Sequence, residues 1–132
     1  MNRLIALAAV GMAGTFALHT FGGEGTVHRP LLVDAVTAEM DLYVSVLWHG
    51  ITAVIAFGTI ALAYATFQKS APKPLLWLVG GQTLAVGLLF AAYGVLRTES
   101  LWIAPQWVIL VPLGLLILWT ARPKPTVMPA AV

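Results

Sequence analysis

A chain of 132 residues with 60% hydrophobic and 9% charged positions, and a mean hydropathy of +0.92, carries too little polar side chain to coat a water-soluble globule. Apolar runs of about 20 residues match a ~30 Å hydrocarbon core, so the composition predicts an integral membrane protein with no separate soluble domain. A formal charge of +2 is too small to point to nucleic acid, and the absence of cysteine removes disulfides, thiolate metal sites and cysteine nucleophiles.

The first predicted span covers about residues 4–21. Met1-Asn-Arg before an apolar run also fits a signal peptide, with Gly11-Met-Ala13 or Thr15-Phe-Ala17 as weak cleavage sites. The run is longer than a usual signal core and no good small-x-small site ends it, which favours a retained helix. Ala8, Gly11, Thr15 and His19 recur at steps of three and four and share one face, where a second helix can approach closely. Phe21-Gly-Gly-Glu-Gly25 is expected to end this helix, because successive glycines favour conformations outside a regular helix. A connector over residues 22–41 then follows, with Thr37 or Asp34 able to cap the next helix and Glu39 and Asp41 favourable in its first turn.

The second span, about 42–67, places Ser45, His49, Thr52, Ala56, Thr59, Ala63 and Thr66 on one seam, which should face protein. The short hinge from Gln68 to Pro74 predicts that the second and third spans are antiparallel neighbours. The third span, about 75–96, carries a close-packing seam of Gly80, Thr83, Gly87, Ala91 and Gly94, with Gln82 its only strongly polar interior residue. After a polar turn at Arg97-Thr-Glu-Ser100, the fourth span covers about 101–121, with Pro105 near its start and Pro112 inside it. The tail from Arg122 is too rich in proline to be helical.

The whole chain, 1–132, therefore reads as one all-α integral membrane four-helix bundle of up-down topology. Arg3, Lys69, Lys73, Arg122 and Lys124 fall at one side and only Arg29 and Arg97 at the other, so the positive-inside rule places both termini in the cytoplasm of a bacterial-type inner membrane. Trp48, Trp102 and Trp107 then belong to the outer aromatic belt and Trp77 and Trp119 to the inner one.

Site chemistry is confined to His19–His49, which holds all three histidines and four of the five acids. Counted along their helices at ~1.5 Å per residue, His19 and His49 are roughly level. They are expected to face each other beneath a lid carrying Glu24 and His28. Imidazole with carboxylate suits Zn or Cu(II), and two level histidines on facing helices suit a b-type haem. No strong metal spacing accompanies them. An enzyme with His49 as general base and Glu24 or Glu39 as partner lacks any nucleophile pair, phosphate loop or dinucleotide fingerprint.

The words His19-Thr-Phe-Gly-Gly23, Pro30-Leu-Leu32, Trp48-His49 and Pro105-Gln-Trp107 resemble those of uncharacterised small four-span bacterial membrane proteins. The resemblance implies the four-helix architecture and no activity. The expectation is thus a structural or accessory component acting by helix packing, with the bilayer and other membrane subunits or a second copy as partners. The alternative is a metal- or haem-binding protein built on His19, His49, Glu24 and His28.

Overall fold

The structure is a computed structural model that describes residues 2–122; the proline-rich tail, with Lys124, lies outside the described residues. Four helices account for almost all of the described chain, and we label them α1 (Arg3–Val33), α2 (Ala38–Phe67), α3 (Lys73–Thr98) and α4 (Trp107–Thr120). The first three are long and apolar enough to cross a membrane, whereas α4 has 14 residues, or ~21 Å of rise.

Helix starts follow local capping chemistry. The Asn2 side chain accepts from the amides of Leu4 and Ile5, and the Thr37 hydroxyl accepts from the amide of Met40 at 3.1 Å. Each satisfies donors that a first turn leaves without a partner. The fourth helix begins at Trp107, later than the expected residue 101, because Ser100–Gln106 is tied up as a turn. There the Trp107 indole Nε1 donates to the Leu101 carbonyl at 2.9 Å, and the Trp102 amide donates to Ser100 Oγ at 3.1 Å.

The largest departure from the sequence reading is at the glycines. Phe21–Gly25 does not end α1: the helix runs on to Val33, α-wound to Ala17, π-wound from Leu18 to His28 and α-wound again from Arg29. All its glycines keep negative φ. Bonds that reach along the helix span the widened turns, Thr26 Oγ1 donating to the Gly22 carbonyl at 2.9 Å and His28 to Glu24 at 2.9 Å. Only the short segment between Val33 and Ala38 is left as a connector.

A single core sits at one end of the molecule. It joins Ile5, Ala8 and Met12 of α1, Leu62 and Ala65 of α2, Leu76 and Val79 of α3, and Leu113, Ile117 and Ala121 at α4. Because α1 and α3 contribute their N-terminal halves and α2 and α4 their C-terminal halves, successive helices run in opposite directions. The expected second–third pairing is realised only at this end. Farther along, α3 packs instead on α4, where a Cβ built on Gly87 would lie 2.9 Å from the Val111 amide nitrogen and one on Gly114 2.6 Å from that of Leu84. Glycine on both sides lets the two backbones touch, which no seam on α2 offers to α3. Gly11 of α1 likewise meets Leu113 of α4, at 3.1 Å from the place a Cβ would take.

Candidate functional site

Helix winding decides which histidines meet. His19 and His28 are nine residues apart, which at 100° per residue puts them on opposite sides of an α-helix. A π-helix has roughly 4.4 residues per turn, so nine residues make about two turns and bring both rings to one face. Gly23 lies between them on that face. There the Trp48 indole of α2 crosses close to the α1 backbone, its Cη2 only 2.6 Å from where a Gly23 Cβ would sit.

The indole is therefore stacked with two imidazoles. The His19 ring lies 4.0 Å from it, centroid to centroid and 21° off parallel, and the His28 ring lies 5.2 Å away and 2° off parallel. His19 Nε2 is 3.4 Å from the Trp48 carbonyl oxygen; a carbonyl only accepts, so Nε2 carries the proton and donates. By the same reasoning His28 Nδ1 donates to Glu24 Oε2 at 2.9 Å, which leaves the lone pair of the neutral ring on Nε2. The His28 side chain is 4% exposed, and its Nε2 has no hydrogen-bond partner. Glu24 also meets the exposed Arg29 guanidinium, with Nε 3.5 Å from Oε1.

His19 and His49, expected to face each other, each have a described ring contact with another residue. His19 stacks on Trp48, while the exposed His49 ring meets His28 edge-on at 5.3 Å between centroids. Glu24 and His28 are not a lid over the pair; they belong to α1 itself. Among the described residues, no three His, Asp or Glu side chains are grouped so as to hold a metal ion. The threonine seam of α2 spends its hydroxyls on its own helix, Thr52, Thr59 and Thr66 each donating to the carbonyl four residues earlier.

Beside the stack opens a cleft of about 680 Å³ that the sequence does not announce. Away from the shared core, the pair α1–α2 and the pair α3–α4 diverge. Leu47, Ile51 and Val54 of α2 then face Val86 and Phe90 of α3 across the gap. The floor is made by Met12, Gly58 and Val79, and the mouth by Leu31, Val44 and Gln106. Measured along α2, Val44 to Gly58 is 14 residues, or ~21 Å. The walls are predominantly apolar, interrupted by Thr15, His19 and Thr26 of α1 and by Gln82 and Thr83 of α3, with the Thr15 and Thr26 hydroxyls donating to the Gly11 and Gly22 carbonyls. The Thr83 hydroxyl already donates to the Val79 carbonyl at 2.7 Å, whereas Gln82 is exposed in the cleft wall.

His19, His28, His49, Glu24 and Gln82 are the residues that stand out from the sequence. From sequence, Trp48 stands as an interface aromatic and Gly23 as a helix breaker. The nine-residue histidine spacing bracketing Gly23 was the one signal for both. Comparison of the chain with known protein families, with curated proteins and with solved structures finds no match in any of the three.

Proposed function

We propose that the protein is an integral membrane protein that holds an elongated apolar molecule with a hydrogen-bonding end in the cleft between its two helix pairs. The cleft is the observation that carries this reading: ~680 Å³ falls within the roughly 300–1,000 Å³ usual for small-molecule sites, and its lining is apolar with few polar groups. Its length suits a single alkyl or isoprenoid chain. His19 and Gln106 near the mouth supply polar partners for the ligand's end.

Placement in the bilayer supports the same reading. With the basic residues Arg3, Lys69, Lys73 and Arg122 on the cytoplasmic side of a bacterial-type inner membrane, the core end faces inward and the cleft opens in the outer half. Gln82, nine residues from Lys73, is then ~14 Å into a ~30 Å hydrocarbon core, where a carboxamide lacking a partner is costly. A ligand polar group there offsets that cost.

Spin-labelled single-chain fatty acid, added to the protein in lipid nanodiscs, tests the proposal. Binding predicts an immobilised nitroxide population that saturates at one per chain and is lost in Val86→Phe, which fills the gap. Unsaturable, lipid-like spectra from both proteins would contradict it. The accessory role expected from composition would instead seat a partner's helix in the cleft, and a stoichiometric copurifying protein that excludes the probe would favour that role.

A further inference from the structure

We propose that His28 and His49 form a binding site for a divalent transition-metal ion, with Glu24 as the residue that positions His28. The site is distinct from the cleft, whose lining includes neither histidine, and does not depend on a ligand there.

Three features carry the assignment. The Glu24 carboxylate accepts from His28 Nδ1 at 2.9 Å, which fixes the tautomer with its lone pair on Nε2. A carboxylate behind an imidazole is the arrangement that orients metal-ligating histidines and raises their basicity. Secondly, Nε2 is a buried polar atom without a hydrogen-bond partner, on a side chain that is 4% exposed and clamped against the Trp48 indole. Burying such an atom unpaired is costly, and coordination to a cation would satisfy it. Thirdly, the His49 ring meets the His28 ring edge-on, 5.3 Å away between centroids and 76° between planes, and it is exposed. An exposed side chain changes rotamer readily, so His49 can admit the ion and then turn a ring nitrogen toward it.

Two imidazoles make an open site. No third His, Asp or Glu among the described residues completes the set, so water or a small exogenous ligand fills the remaining positions. That geometry does not suit structural zinc, which takes four protein ligands. Nitrogen donors and the affinity order of divalent ions favour Cu(II) among the first-row metals. Arg29, against Glu24 at 3.5 Å, keeps that carboxylate engaged behind His28.

Equilibrium dialysis of the untagged full chain in detergent against Cu(II), with Zn(II) as competitor, reads the site. One equivalent of Cu(II) is expected, with nitrogen hyperfine structure from two imidazoles in its electron paramagnetic resonance spectrum. His28→Ala and His49→Ala should each lower affinity at least tenfold, Glu24→Gln should lower it by about 10- to 100-fold, and Glu39→Gln should leave it unchanged. Should His28→Ala fail to fold, the wild-type spectrum and the exposed-site variant His49→Ala still decide. Wild-type protein that binds no stoichiometric Cu(II), a spectrum without nitrogen coupling, or equal affinity in wild type and His49→Ala would each overturn the proposal.

Discussion

Gly23 shows how much one missing methyl group arranges. A Cβ there would sit 2.6 Å from Trp48 Cη2 and 3.0 Å from Cζ2, so the indole can cross α1 only because the position is glycine. Gly23→Ala is expected to push the ring out of the stack, lowering stability by about 1–3 kcal/mol as overpacking does and weakening the near-ultraviolet tryptophan signal. Gly25, two residues on, has open space where its Cβ would be. Gly25→Ala should therefore cost nothing and can gain about 0.5 kcal/mol from reduced backbone freedom. Thermal unfolding in detergent compares the pair, and equal losses would show that glycine content, not the indole, governs this stretch. Both glycines look alike in the sequence. Only the partner that crosses one of them separates their roles.

At the scale of the helices, α3 and α4 are held by backbone approach. Gly80 and Gly81 are adjacent, yet a Cβ on Gly80 would lie 2.9 Å from Leu118 Cγ and one on Gly81 would meet nothing within 4 Å. Gly80→Ala should destabilise and Gly81→Ala should not. Gly87→Leu should cost about 2 kcal/mol or more, because its side chain would start 2.9 Å from the Val111 amide nitrogen. Leu88→Phe, at a position 52% exposed, should change the detergent melting temperature little. The seam of Gly80 and Gly87 was legible from spacing, since small residues at steps of three and four leave a groove. Its partner was not legible, because a short hinge after α2 fixes which helices are joined and not which pack along their length. The π-wound stretch was hidden for a related reason. Glycine-rich sequence weakens a helix by intrinsic preference, and here the Trp48 stack and the bonds from Thr26 and His28 override it.

For the whole molecule, four helices were readable from the apolar runs because helix length and hydropathy are local properties. The cleft was not, since it arises from where the helix pairs separate, which is a sum of many side-chain contacts. Orientation is tested by reporters placed in the turn at 34–37 and in the hinge at 68–72. The excess of basic residues predicts an external reading for the first and a cytoplasmic one for the second. The same side for both would contradict an up-down bundle crossing the bilayer. The central claim, that the gap between the helix pairs is a ligand site, is met most directly by a fatty acid with a photoreactive diazirine on its chain. Cross-linked in nanodiscs and mapped by mass spectrometry, the label should concentrate on cleft residues such as Val54, Val86 and Phe90, and excess unlabelled fatty acid should displace it. Phe57 and Ile60, exposed at 72% and 63% on the same α2 and absent from the cleft lining, serve as the reference for general lipid contact. Equal, non-competable labelling of both sets would contradict the account.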